Sequence, residues 1–122
     1  MGDGAQRLPR RQRIAKRREF LLVYQNGKKF YSRNLVLYAM ASELPYDRLG
    51  VTVSRKIGKA TVRNRVKRRL REIFRCNKRE TTPALDLVIN TRKGAAKLEF
   101  SELRDEVVAM LGRLGRSPAK TE

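Results

Sequence analysis

The chain has 122 residues, the length of one ordinary domain with a single hydrophobic core. It carries 30 Lys and Arg residues against 12 Asp and Glu residues, a formal net charge of +18, so the expected partner is a polyanion. One cysteine and no histidine exclude an internal disulfide, the usual zinc ligand sets and nucleophilic catalysis by a Ser-His or Cys-His pair.

The first 15 residues contain four arginines and two glycines but almost no apolar pattern. We expect residues 1–15 to form a basic arm that is disordered when free. Two interpretations stay open for it: an arm that becomes ordered on a phosphate backbone, or a solvated tail without defined contacts. This region also lacks the apolar middle of a secretory signal. No segment approaches the roughly 20 apolar residues needed to cross a bilayer, so we expect a cytoplasmic protein with no membrane partner.

A short helix is predicted from Lys16, because Phe20, Val23 and Tyr24 have helical spacing. Gly27 would end it in the left-handed conformation that many helix ends adopt. Aromatic and β-branched residues then predict three strands, over residues 28–32, 35–41 and 48–54, with a turn at 45–47.

A long helix is predicted over residues 60–77, a fourth strand over 85–90 and a third helix over 100–114 that ends at Gly115. Residues 116–122 are expected to form a disordered tail, which leaves one domain over residues 16–115. The order α-β-β-β-α-β-α predicts an α+β fold of two layers, with amphipathic helices covering one side of a sheet whose other face stays open. If the third and fourth strands are parallel, their connection through the long helix is right-handed by default.

The positive charge is clustered. Residues 1–33 hold 10 basic and 2 acidic residues and residues 55–79 hold 12 and 1, whereas the rest of the chain is nearly balanced. Within the long helix the basic residues lie opposite the apolar ones, and Glu72 alone interrupts them. A ladder of salt bridges within the helix would need more acids, so this basic stripe predicts a nucleic-acid contact.

Three aromatic residues accompany the charge: Phe20 and Tyr24 lie one helical turn apart, and Tyr38 lies in a predicted strand. Together they are able to line a groove in which unpaired bases stack, a contact that tolerates many sequences. The alternative is that they fill the core, as Phe often does, and composition alone does not decide for Phe20.

The segment SRKIGKA at residues 54–60, followed by VRNRVKR at 62–68, resembles the signature of bacterial ribonuclease P proteins. The resemblance extends over about residues 17–114 and has the motif Arg63-Asn64-Arg65 at its centre. Arg-Asn-Arg alone would carry little weight, but the long combined motif is specific. Further matches lie upstream, at Glu19-Phe20, Tyr24, Gly27, Arg33, residues 35–38, Gly50-Val51 and Val53-Ser54.

The resemblance implies a role in an endoribonuclease whose catalyst is a large RNA with bound Mg²⁺, and in which the protein assists removal of the 5′ leader from precursor tRNA. The implied partners are the ribonuclease P RNA and that leader; no protein partner is required and no protein residue is catalytic. The residues implied to face the catalytic RNA are Arg33, Arg55, Lys56, Arg63, Asn64, Arg65, Arg68 and Arg69. The residues implied to form a leader-binding cleft are Phe20, Tyr24, Tyr38, Lys67 and Arg71.

The resemblance also implies a fold similar to a domain of ribosomal protein S5, with a left-handed β-α-β crossover that replaces the right-handed default. Position 24 departs from the family pattern, since Tyr stands where Phe is more usual. Whether the protein holds a metal of its own is left unknown, because the lone amide of Asn64 is a poor ligand set.

Three other functions compete with this interpretation. A ribosomal or general structured-RNA-binding protein would explain the charge equally well but would not need the aromatic residues. A DNA-binding domain would place the long helix in a major groove. A protein nuclease acting alone would need paired carboxylates, and the acidic residues here are scattered.

Overall fold

The computed structural model describes residues 7–77 and 83–120, with side chains as far as Leu114. The predicted order of helices and strands is confirmed, with short 3₁₀ turns between several of them. The helices are α1 (Arg17–Asn26), α2 (Ala60–Cys76) and α3 (Phe100–Lys120). The strands are β1 (Lys28–Tyr31), β2 (Leu35–Ala41), β3 (Arg48–Thr52) and β4 (Leu85–Thr91).

The four strands form one sheet in the order β1-β2-β4-β3. β1 pairs with β2, and β2 with β4, in antiparallel fashion, whereas β3 and β4 are parallel. The chain therefore passes from β3 through α2 to a parallel neighbour, as the β-α-β interpretation requires. The left-handed course of that connection stays a prediction from the resemblance.

The main core lies on one face of the sheet, under α2 and α3. Leu85, Leu87 and Ile89 of β4 point into it, and each is buried. Each helix supplies a buried apolar stripe, since its apolar residues recur every three or four positions. The stripes consist of Val66, Leu70, Ile73 and Phe74 from α2, and Leu103, Val107, Met110, Leu111 and Leu114 from α3.

The opposite face of the sheet, here called the α1 face, is covered in part by α1. Val23 is fully buried there in a small cluster with Val88 of β4. An ion network holds the start of the helix: Arg48 Nη1 lies 3.0 Å from Glu19 Oε2, and Arg48 Nη2 lies 2.8 Å from Asp86 Oδ2. Because these groups are largely buried and mutually hydrogen-bonded, they fix where α1 begins.

Residues 7–15 differ from the predicted disordered arm, because they pack against the domain. Leu8 and Ile14 are 2% and 4% exposed, and the Ile14 amide donates to the Leu49 carbonyl at 2.9 Å along the edge of β3. Because two apolar residues that stand alone six positions apart form no repeating helix or strand pattern, the sequence does not predict their burial. Residues 1–6 lie outside the described part of the chain.

Two helix ends also differ from expectation. Gly27 ends α1 with φ of −83°, so its backbone is not left-handed; a Cβ there would lie 2.6 Å from the Val23 carbonyl oxygen. The backbone of α3 continues to Lys120, beyond its predicted end at Gly115 and into the predicted tail. Glycine inside a helix costs about 1 kcal/mol relative to alanine, which weakens a helix without ending it.

Candidate nucleic-acid interface

The basic side of α2 carries guanidinium groups without acidic partners. Within residues 7–77 and 83–114, no carboxylate forms an ion pair with the α2 arginines at 63, 65, 68, 69 or 71. The exception is Arg75, which pairs with Glu72, as expected for the one acid on the helix. Their hydrogen bond lowers the pKa of the Glu72 carboxyl. The basic stripe is therefore available to an external polyanion.

Several of these arginines are positioned by the fold. Arg63 Nε donates to the Gly58 carbonyl at 3.1 Å, and Arg69 Nη1 lies 3.5 Å from the Leu98 carbonyl oxygen. Arg65 Nε is buried and has no hydrogen-bond partner among the described residues. Asn64 and Arg68, which lie between Arg63 and Arg69 in the sequence, are exposed. The basic stripe thus combines arginine side chains that contact backbone carbonyls with exposed ones such as Arg68.

A cleft of about 620 Å³ runs along the basic side of α2, next to the N-terminal segment. That segment contributes Arg7 and Arg13, which were expected to lie in a disordered arm. Burial, and secondly the charge of Arg13, lower the pKa of Arg71. Closely spaced cations of this kind raise the local concentration of anions. The cleft is lined by Arg7, Leu8, Arg13, Asn64, Lys67, Arg68, Arg69, Arg71, Glu72 and Phe100.

The predicted aromatic residues come together on the α1 face, away from the main core. The ring centroids of Phe20 and Tyr24 are 6.4 Å apart, and those of Tyr24 and Tyr38 are 4.8 Å apart with the rings nearly perpendicular. All three residues are half-buried and pack around Val23 and Val88. They therefore serve a small core and still leave part of each ring accessible.

The strand register explains how the aromatic residues are placed. Residues paired across neighbouring strands point to the same face of a sheet, so each register row is a row of side chains. Tyr24 contacts Asn90 and Thr52 in one row, and Phe20 lies against Gly50 in the next. The first row is Tyr31, Val36, Asn90 and Thr52, and the second is Lys29, Tyr38, Val88 and Gly50.

Two residues outside the predicted site, Lys29 and Tyr31, also belong to this face. Tyr31 is 56% exposed, and Lys29 Nζ lies 5.7 Å from the centroid of its ring and 5.4 Å from that of Tyr38. A cation between two aromatic rings suits a single-stranded nucleic acid, because the rings stack with its bases and the cation attracts its anionic backbone. Pairing the first two predicted strands as a hairpin would have identified this face, because that pairing sets Lys29 opposite Tyr38.

The structure divides the predicted leader-binding residues into two groups. Phe20, Tyr24 and Tyr38 lie on the α1 face, whereas Lys67 and Arg71 line the α2 cleft with Arg13. The N-terminal segment lies between them, since Ile14, next in the chain to Arg13, packs with the aromatic cluster. The roles assigned to both groups stay predictions.

The remaining predicted RNA-facing residues lie in exposed turns. Arg55 and Lys56 occupy the turn before α2, and Arg33 lies between β1 and β2. The turn at Arg33 is held by Glu106 of α3, which accepts hydrogen bonds from the Ser32 hydroxyl, the Asn34 amide at 2.7 Å and the Asn34 side chain at 2.9 Å. Arg33 is thereby carried on a fixed loop.

The described residues contain neither a metal-binding cluster nor a membrane-spanning helix. Among the described residues, no three cysteine, aspartate or glutamate side chains lie close enough together to hold a metal ion. None of the described helices is both long and apolar enough to span a bilayer.

The chain is similar in sequence and in fold to known proteins over most of its length. The chain matches the family described as Ribonuclease P over residues 8–115, a match that begins where the packed N-terminal segment begins. The ribonuclease P protein component of Syntrophus aciditrophicus is 36% identical over 104 residues, covering 85% of this chain and 87% of that one. The solved RNase P protein from Thermotoga maritima is 37% identical with a TM-score of 0.76, covering 83% and 96%. The RNase P protein structure from Staphylococcus aureus is 31% identical with a TM-score of 0.74, covering 83% and 94%.

Proposed function

The chain belongs to the ribonuclease P protein family, and from that premise we propose that it binds the catalytic RNA of ribonuclease P and the 5′ leader of precursor tRNA. In this role the protein assists the endonucleolytic step of tRNA 5′ maturation, and the active site lies in the RNA subunit. A general structured-RNA-binding role is not favoured, because the relatives are ribonuclease P protein components.

The observation that carries the proposal is the basic side of α2, where five arginines lack acidic partners within the described residues. Folded RNA brings phosphates close together, and planar guanidiniums bind them in pairs of hydrogen bonds. The exposed Arg68 and Asn64, with the cations of the α2 cleft around them, suit a phosphate-rich RNA surface. This surface is assigned to the catalytic RNA.

The α1 face suits the leader, a single strand. Half-buried aromatic rings offer stacking surfaces worth about 1 to 3 kcal/mol per base, and Lys29 supplies charge for the phosphates. Holding the leader beside the RNA subunit fixes the scissile bond and favours precursor over mature tRNA.

Magnesium belongs to the RNA in this proposal. The described residues do not fit a metal site, since no three acidic or cysteine side chains converge among them. When bound to the RNA, Mg²⁺ supplies an activated water and stabilises developing charge. The protein contributes by neutralising crowded phosphates, which lowers the magnesium concentration that the assembly needs.

The test is reconstitution with a bacterial ribonuclease P RNA at low Mg²⁺. We expect the protein to accelerate precursor cleavage, and Arg68→Glu to weaken assembly with the RNA at least tenfold, since it reverses one exposed charge on the contact surface. Arg104→Glu makes the same charge change on an exposed arginine of α3 and is the matched control, which should assemble normally. Equal losses in both variants would reduce the effect to net charge and contradict the assignment of α2.

Tyr38→Ala separates the two surfaces. It should weaken the affinity of the holoenzyme for precursor tRNA about tenfold by removing one stacking surface, without changing affinity for mature tRNA or for the RNA subunit. Normal RNA-subunit affinity also shows that the variant is folded. Unchanged affinity for precursor tRNA would contradict the assignment of the leader to the α1 face.

A further inference from the structure

The N-terminal segment, residues 7–15, joins the two packed regions of the protein across the edge of β3. Leu8 is 2% exposed and belongs to the main core, whereas Ile14 is 4% exposed and packs with Val23 on the α1 face. Between these ends the segment makes one 3₁₀ turn, Arg10–Gln12. Because so short a connection has little slack, a displacement of one end moves the other.

Arg13 fastens the two ends of this segment to each other and also faces the α2 cleft. Its Nε donates to the Leu8 carbonyl at 2.9 Å. Within residues 7–77 and 83–114, its two Nη groups take part in no hydrogen bond or ion pair, although the side chain lines the cleft. A guanidinium that is held by one nitrogen and free at the other two is able to bind an anion with the free pair.

Arg71 lies in the same cleft, and its charge and that of Arg13 repel each other. Burial, and after it the charge of Arg13, lower the pKa of Arg71. Glu72 also lines this cleft, but its carboxylate is engaged by Arg75 and so does not neutralise the other two arginines. A phosphate between Arg13 and Arg71 would offset their repulsion and replace part of the water that burial removes from Arg71.

At the other end of the segment, Ile14 packs beside Phe20, one of the aromatic residues of the α1 face. The Ile14 amide donates to the Leu49 carbonyl at 2.9 Å, which fixes the residue at the edge of β3. The Ile14 side chain and the Phe20 ring share the space over Gly50, since they lie 3.1 Å and 2.8 Å from where a Cβ of that glycine would be. The position of the Phe20 ring therefore depends on Ile14.

We propose that a phosphate of the catalytic RNA binds between Arg13 and Arg71, and that the N-terminal segment, held by this contact, keeps Phe20 in position for the leader. Arg13 is then an RNA-binding residue in addition to those predicted, and Ile14 is a positioning residue. The inference rests on the proposed function, which assigns the α2 cleft and the α1 face to the two RNAs.

The coupling follows from the one conformation that both ligands favour. The phosphate binds best when the segment is packed, because only then does Arg13 face Arg71 across the cleft. The packed segment is also the form in which Ile14 supports Phe20. RNA bound in the α2 cleft therefore strengthens leader binding on the α1 face, since each ligand stabilises the form that the other requires.

Arg13→Gln tests this coupling in the reconstituted holoenzyme, with Arg10→Gln as the matched control. Arg10 is an exposed arginine of the same segment that does not line the α2 cleft. Two quantities are measured: the affinity for the RNA subunit and, with protein in excess, the precursor preference, which is the ratio of holoenzyme affinities for precursor and mature tRNA. We expect Arg13→Gln to lower each about three- to tenfold, and Arg10→Gln to change neither by more than about twofold.

The salt dependence of both quantities separates direct contact from positioning. Loss of one phosphate contact lowers the slope of log affinity against log salt by roughly one. Arg13→Gln should lower the slope for the RNA subunit, which Arg13 contacts, and leave the slope of the precursor preference unchanged, because its effect on the leader passes through Ile14. A slope of the precursor preference that also falls would mean that Arg13 contacts the leader directly, and would overturn the positioning role.

Ile14→Ala is the second variant, since it keeps both arginines but removes the side chain beside Phe20. It should lower the precursor preference about three- to tenfold, while affinity for the RNA subunit stays within about threefold and shows that the variant is folded. Ile14→Val removes a single methyl group and should give an intermediate preference, so the expected order is wild type, Val, Ala. Should the Ala variant fail to fold, the Val variant must still lower the preference.

The inference is overturned if Arg13→Gln and Arg10→Gln act alike, or if Arg13→Gln weakens assembly while the precursor preference stays at the wild-type value. With either result, a Tyr38→Ala variant that still loses precursor affinity leaves the proposed function intact. A Tyr38→Ala variant without any effect removes the proposed function itself.

Discussion

Gly50 is the residue that lets α1 approach the sheet. A Cβ at position 50 would lie 2.8 Å from Cε1 of Phe20, closer than side chains tolerate, and 3.1 Å from Cβ of Ile14, closer than most side-chain contacts. The ring of Phe20 therefore occupies the space that a side chain at position 50 would fill. The sequence motif contains this glycine, but only the packing of α1 on β3 gives its physical reason.

We expect Gly50→Ala to lower the free energy of unfolding by about 1 to 3 kcal/mol, the usual cost of forcing extra volume into a packed site. Gly112→Ala is the control, because a Cβ there meets nothing within 4 Å. In the middle of α3 it should raise stability by up to about 1 kcal/mol. Urea denaturation of both variants measures the difference, and equal effects would contradict the close approach of Phe20.

At the scale of elements, α3 is fastened to the turn between β1 and β2 through Glu106. Burial alone would raise the pKa of this carboxyl, but the hydrogen bonds from Ser32 and Asn34, with the charge of Arg33, outweigh burial and lower it. A folded-state pKa below the unfolded value means that the carboxylate stabilises the fold above the unfolded pKa. That stabilisation is lost as the pH falls through the lowered folded-state pKa.

Glu106→Gln should therefore lower stability at neutral pH by about 1 kcal/mol or more, since a neutral amide accepts these hydrogen bonds less well. The gap between variant and wild type should narrow in acid, where the protonated carboxyl resembles the amide. Glu43→Gln, in the exposed turn between β2 and β3, controls for loss of a charge. Urea denaturation from pH 7 down to pH 3 measures both, and a gap independent of pH would contradict the charged contact.

The elements also differ in how far the sequence predicted them. The three helices were predicted because their apolar residues recur with the period of a helix, and the strands because aromatic and β-branched residues lie between turn residues. The packing of Leu8 and Ile14 was not predicted, because it depends on the edge of β3, which is distant in the sequence. In the candidate site, the unpaired arginines followed from the scarcity of acids in α2. The separation of Lys67 and Arg71 from the aromatic residues follows from the path of the N-terminal segment, which no local pattern encodes.

For the whole molecule, a net charge of +18 has opposite consequences for folding and for binding. Salt screens repulsion within the compact chain, so the Tm of the free protein should rise between 50 and about 300 mM NaCl. Binding to the RNA subunit releases counterions, so over the same range its affinity should fall by roughly two to four orders of magnitude. Thermal melts and filter-binding titrations in matched buffers measure the two trends. A Tm that falls with salt would contradict self-repulsion, and a salt-independent affinity would contradict phosphate contacts.

The position of β4 has a consequence for synthesis. This strand is the last of the four in the chain, yet it lies between β2 and β3. A ribosome that has not yet completed Thr91 holds a nascent chain in which nothing joins β2 to β3, and α2 lacks both the completed sheet and α3 to bury its apolar side. The arginine-rich helix is therefore synthesised, next to ribosomal RNA, before the strand and the helix that complete its core, so polyanions meet it before its own domain does.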